Sequence, residues 1–170
     1  MNILLSEEQI IEIMGMQEEL DKSIMKKHNI EGQDLSLEKH LALKTELFEF
    51  ANEIESFKYW KKNKGKNSIL EEACDVLHFV LSIAIDNDEK LEFLELPFGY
   101  DKEEYDMNEL IGLLDAISLD CFINKDYSDL SGFVMLLCIA LDKCEFNADD
   151  LYKAYIRKNK VNHDRQCNNY

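Results

Sequence analysis

Apolar residues recur at intervals of three and four along most of this chain, and that spacing predicts helices. After Ser6 they fall at Ile10, Ile13, Met14, Met16 and Leu20. Ser6-x-x-Gln9 has the form of a capping box, so a first helix is expected from Ser6 to about His28. Gly32 marks a loop over 29–34. A second helix is expected from about Ser36 to Phe57, with Leu37, Leu41, Leu47, Ala51 and Ile54 as its apolar stripe. Ser68-x-x-Glu71 offers another capping box and opens a third helix through Leu70, Ala73, Leu77, Val80 and Ala84. Residues 86–106 are mixed, with a turn at Leu96–Tyr100. Helices are then expected over Met107–Ile123, over Leu130–Lys143, and from a cap at Asn147 to about Asn162, before a polar tail.

One proline, Pro97, and six glycines leave little to break these helices. The expectation is one all-α domain over residues 1–170, a compact bundle of about six helices. A length of 170 residues is enough for a sizeable single core. The net charge of −16 is spread along the chain and argues against a nucleic-acid partner, whose phosphates need a basic surface. Five scattered cysteines with no CxxC pair read as free thiols in a reducing cytoplasm. The start, MNILLSEEQ, lacks the basic and apolar regions of a signal peptide. The longest apolar run, near Phe133–Leu141, is too short for a bilayer, so no membrane partner is expected.

The polar positions inside the apolar helices carry the chemistry. Glu46/Glu49 and Glu72/Asp75 are two carboxylate pairs, each spaced i, i+3, so each pair lies on one helix face. Such a pair is commonplace on a solvated helix. Two pairs embedded in apolar helices need a partner or a metal. Four oxygens facing each other would suit Mg²⁺, with Mn²⁺ as an acceptable substitute. Asp75-x-x-His78 also invites comparison with di-iron bundles, but those use two such motifs and the chain offers one. His78 is either a hydrogen-bonded helix histidine or a group facing a ligand. Trp60, the single tryptophan, opens a basic stretch, YWKKNKGKN at 59–67; it is either an anchor or a flat surface for a base. Arg157, Lys158, Lys160 and Arg165 near the C-terminus are either solvated or neutralise phosphate.

These residues carry a resemblance. MQEELD at Met16–Asp21, ELFEFANEIESFKYWK at Glu46–Lys61, EEACDVLHF at Glu71–Phe79 and the pattern Tyr155, Lys158, Asn162, Arg165-Gln166, Tyr170 resemble the dimeric, all-α dUTPases. That family belongs to the all-α NTP pyrophosphatase superfamily, which also holds MazG-like enzymes. The resemblance covers most of the chain and implies an intertwined homodimer that hydrolyses dUTP, and also dUDP, to dUMP, with pyrophosphate released from dUTP. By the same likeness Glu46, Glu49, Glu72 and Asp75 would hold Mg²⁺, and Glu49 would also orient or deprotonate the attacking water. Gln17, Asn52, Trp60, His78 and Phe79 would surround the uracil and deoxyribose. Lys58, Tyr155, Lys158, Asn162 and Arg165 would meet the phosphates or close over the nucleotide.

Other readings stay open at this point. A MazG-like pyrophosphohydrolase for another nucleotide, such as dCTP, would keep the same carboxylates. A binding protein that uses the fold to hold a regulatory partner would carry no distinguishing sequence mark. A purely structural bundle would leave the carboxylates without a task. Dimerisation is expected through the apolar helices Met107–Ile123 and Leu130–Leu141.

Overall fold

A computed structural model describes residues 2–61, 68–91 and 94–167. Among these there are six α-helices and no strand: α1 (Glu7–His28), α2 (Ser36–Ile54), α3 (Ile69–Asp86), α4 (Met107–Asn124), α5 (Leu130–Lys143) and α6 (Ala148–Cys167), with a short 3-10 turn at Lys102–Glu104. No helix among the described residues is long and apolar enough to cross a membrane. Cys74, Cys121 and Cys138 are free thiols buried in the protein, and Cys144 is buried as well.

The helix ends show local chemistry at work. Ser6 caps α1 reciprocally: Gln9 N–H donates to Ser6 Oγ at 3.2 Å and Ser6 N–H to Gln9 Oε1 at 2.9 Å. Asn147 and Asp150 repeat the device at α6, at 3.1 and 3.0 Å. Ser68 does not. Its backbone sits at φ −122°, ψ 0°, outside the extended region an N-cap needs, and its side chain makes no cap bond, so the capping box expected with Glu71 is not formed. Two boundaries also move. α2 ends at Ile54 rather than Phe57, because Glu55 turns left-handed at φ 56°. α6 runs on through the expected polar tail to Cys167.

α3 is the central helix, packed on α1, α2, α5 and α6. Its Ala73, Cys74, Val76, Leu77, Val80, Leu81 and Ala84 are all buried. Each large apolar side chain so buried stabilises the fold by roughly 1.5–3 kcal/mol. α5 is a core helix as well, with Phe133, Val134, Leu137, Ile139 and Leu141 buried inside the chain. Of the apolar side chains expected at a dimer surface, these five are taken up by the chain's own core, while Met135 and Leu136 are only partly buried. The N-terminal half of the α2 stripe is corrected too. Leu37 and Leu41 are 48% and 59% exposed, and the buried positions there are His40 and Leu43. Together with Leu113, Leu119, Phe122 and Ile123 of α4 they leave an apolar face open to solvent.

Candidate active site

One polar stripe runs down the otherwise apolar α3: Glu72, Asp75, His78, Ser82 and Asp86, at steps of three and four. It faces α1, α2 and α6. At its start α2 brings Glu46 opposite Glu72 and Asp75. One oxygen of each of these three carboxylates lies within 4.8 Å of the others. That span is close to the diameter of an oxygen-ligand shell around one divalent cation, about 4–5 Å. All three are only partly buried, so an ion could enter. The electrostatics fit a cation as well. Burial, and then the neighbouring carboxylates of Asp75, Glu49 and Glu72, push the Glu46 carboxyl up to about 7. Burial and Asp75 raise Glu72 in the same direction, opposed in part by Lys158. Crowded acids of this kind are a metal-ready or proton-holding arrangement.

Glu49 stands apart from the trio. It is exposed, one turn beyond Glu46, yet near enough to raise both Glu46 and Glu72. Glu53, a further turn on, acts on Glu72 as well.

α6 sets a cationic face against this acidic one. Lys158 Nζ donates to Asp75 Oδ2 in a close ion pair and to the Glu71 carbonyl at 3.3 Å. Arg157, Lys158, Asn162 and Arg165, with Glu71 and Cys74 of α3, line an open cavity of about 300 Å³. Arg157, Val161 and Arg165 recur at i, i+4, i+8, so the extension of α6 past Asn162 is what brings Arg165 onto this face. In the sequence Arg157 stands only as one of four C-terminal cations that either neutralise phosphate or are solvated, and not among the residues the dUTPase likeness implies. Its spacing from Arg165 was the signal, once the helix was known to continue.

Further along the stripe the polar groups are buried and joined. Gln17 is 3% and His78 6% exposed. Gln17 Oε1 accepts from His78 Nδ1 and from Tyr155 Oη, each at 2.7 Å. The Tyr155 ring is stacked on His78. Burial pushes the His78 imidazole down to about 3, so it is neutral at physiological pH. Burial likewise raises the Tyr155 phenol. Tyr155, expected to meet the phosphates or close over the nucleotide, is fully buried here, with its hydroxyl on Gln17 and its ring on His78. Gln17 was legible as buried, since Ile13, Gln17 and Leu20 share one face of α1.

Compared with known protein families, residues 9–170 match the family described as dUTPase. The chain belongs to this all-α dUTPase family. No curated protein matches the chain. Family membership makes it a hydrolase of the kind that acts on nucleoside triphosphates. The carboxylates of Glu46, Glu72 and Asp75 form a group that could hold a metal ion.

The remaining residues named from the dUTPase likeness are more scattered. Asn52 is exposed on α2 and Phe79 is half-buried against the core. Lys58 does not reach the carboxylate cluster. It is paired with Glu55 at 2.8 Å, which also holds Lys61 at 2.6 Å. Those two ammonium groups keep the Glu55 carboxyl below its usual range. Trp60 is 66% exposed and meets Tyr59 edge-on, with centroids 5.0 Å apart. Residues 62–67 of the basic stretch, and Tyr170, lie outside the described residues.

Proposed function

We propose that this chain is a dUTP diphosphatase, hydrolysing dUTP to dUMP and pyrophosphate with Mg²⁺, for which Mn²⁺ can substitute. The observation that carries the reading is the carboxylate trio of Glu46, Glu72 and Asp75, met by a cationic face on α6, in a chain of the dUTPase family. Glu46, Glu72 and Asp75 would hold the ion, with Glu49 at the edge completing the set. When bound, Mg²⁺ supplies charge neutralisation for the triphosphate and acidifies water.

The other steps belong to the side chains. Glu49, exposed beside the cluster, takes the proton from the attacking water as general base. Lys158, Asn162, Arg165 and Arg157 line the open cavity and compensate charge on the leaving pyrophosphate. Lys158 leaves Asp75 for a phosphate oxygen as substrate arrives. Gln17 and His78 read the base, with Asn52, Trp60 and Phe79 around base and sugar. Gln17 and His78 are closed off in this structure, so the base gains them by an opening between α1 and α3. The exposed apolar face of α2 and α4, with Leu37, Leu41, Leu119 and Ile123, supports a homodimer.

Comparing the intact chain with a Glu72→Gln variant tests the reading. Pyrophosphate release from dUTP by the wild type, lost by at least about a hundredfold in the variant, is expected when a metal ligand is removed. Equal rates in the two proteins would contradict it.

A further inference from the structure

Beyond His78 the polar stripe continues into a second chain of contacts that the proposed chemistry does not use. Gln17 Nε2 donates to Asp21 Oδ1 at 2.7 Å. Ser82 Oγ donates to Asp21 Oδ2 at 2.6 Å. Lys39 Nζ stands 3.7 Å from Asp21 Oδ2 and 2.6 Å from Asp86 Oδ2. Three side chains from three helices thus meet the one Asp21 carboxylate of α1: Gln17 on α1, Lys39 on α2 and Ser82 on α3.

The chemistry of these groups gives the chain a direction. A carboxylate only accepts, so the Gln17 atom beside Asp21 is the amide nitrogen, and the amide oxygen faces away. There it lies 2.7 Å from both Tyr155 Oη and His78 Nδ1. An amide oxygen also only accepts, so both neighbours donate. His78 therefore carries its proton on Nδ1. Its Nε2 is left as a bare lone pair, buried and with no partner. An orphaned buried acceptor is uncommon in a folded protein, and it points to a donor that arrives from outside. It sits one helical turn, about 5 Å, along α3 from Asp75.

We propose that Asp21 is a positioning residue for base selection: anchored by Ser82 and Lys39, it fixes the Gln17 amide, which fixes the His78 tautomer, so that Nε2 accepts from a base presenting a ring N–H. Uracil presents such a group, whereas cytosine presents a ring lone pair at the same position. The identity of the base rests on the dUTP reading above; the direction of the chain does not.

Nitrogen NMR of the intact protein, with His78 assigned through a His78→Gln variant, reads the tautomer directly. Wild type is expected to show a proton on Nδ1 and none on Nε2. Asp21→Asn puts a side chain that can donate as well as accept beside Gln17. It is expected to move His78 toward the Nε2–H form and to lower the dUTP-over-dCTP ratio of kcat/KM about tenfold, the effect of one misdirected hydrogen bond. Gln17→Met fills similar space and cuts the chain, and is expected to release the tautomer even if Asp21→Asn does not fold. A wild-type His78 protonated at Nε2 would overturn the proposal, as would a folded Asp21→Asn protein with tautomer and ratio unchanged. If wild type hydrolyses no dUTP, the functional reading falls, and the tautomer of wild type and Asp21→Asn still decides the role of Asp21.

Discussion

The ring of Tyr155 lies against the ring of His78, with centroids 4.3 Å apart and planes inclined by 29°. α6 and α3 are joined by this stack, and its edge is joined to α1 through the Tyr155 hydroxyl on Gln17 Oε1. A residue that the dUTPase likeness sets at the phosphates or over the nucleotide is thus, in this structure, in contact with two buried polar groups.

The stack and the hydroxyl contribute separately. Tyr155→Phe keeps the ring and removes one donor from Gln17, so unfolding in urea is expected to show a loss of about 1 kcal/mol. Tyr155→Ala also opens a cavity and is expected to lose roughly 3–5 kcal/mol. Equal losses for the two variants would show that the ring contributes nothing beyond its hydroxyl.

Glu46 is held in a cluster that resists its charge. Glu46→Gln relieves the repulsion, so in EDTA the variant is expected to melt at or above the wild-type temperature. With saturating Mg²⁺ the order reverses, because ligand binding stabilises only the protein that binds it. A thermal melt with and without Mg²⁺ checks both arms. A variant that gains as much from Mg²⁺ as wild type would remove Glu46 from the metal site.

Lys158 occupies Asp75 as an internal cation. Lys158→Met frees that carboxylate and is expected to tighten Mn²⁺ binding about fivefold, in line with a partly buried ion pair. The same variant is expected to turn over nucleotide more slowly, having lost a phosphate contact. Weaker Mn²⁺ binding would mean that Lys158 orders the site rather than competes for it.

His78 makes the fold sensitive to acid. Its pKa is lowered from 6.5 to about 3, with burial as the main cause, so between those values the native state binds fewer protons than the unfolded chain. That stabilisation is complete above pH 6.5 and is lost as pH falls toward 3, by up to about 1.4 kcal/mol per pH unit. His78→Gln is expected to show a shallower loss of stability between pH 6.5 and 4 in urea titrations. An unchanged slope would show that His78 does not carry it.

Much of this was legible in the sequence because the helices are long and strongly periodic. The Ser6–Gln9 and Asn147 caps, the central apolar α3 and the carboxylates of α2 and α3 follow from spacing alone. The N-terminal face of α2 was not, because Leu37 and Leu41 fit a helical stripe equally well whether that stripe meets the core or solvent. Ser68 failed as a cap for a reason sequence does not carry, its backbone conformation. Ser82 and Asp86 extend the spacing of Glu72, Asp75 and His78, so the stripe could be traced. Its partners Asp21 and Lys39 come from other helices and emerge only with the packing.

Hydrolysis of dUTP is tested most directly by measuring pyrophosphate release from dUTP, dCTP, dTTP and UTP, each with Mg²⁺ and with EDTA. The expected result is release from dUTP in clear preference to the other three, abolished by EDTA. Preference for another nucleotide would keep the carboxylate site and overturn the assignment of the base-reading residues, and no release from any of the four would contradict the enzymatic reading.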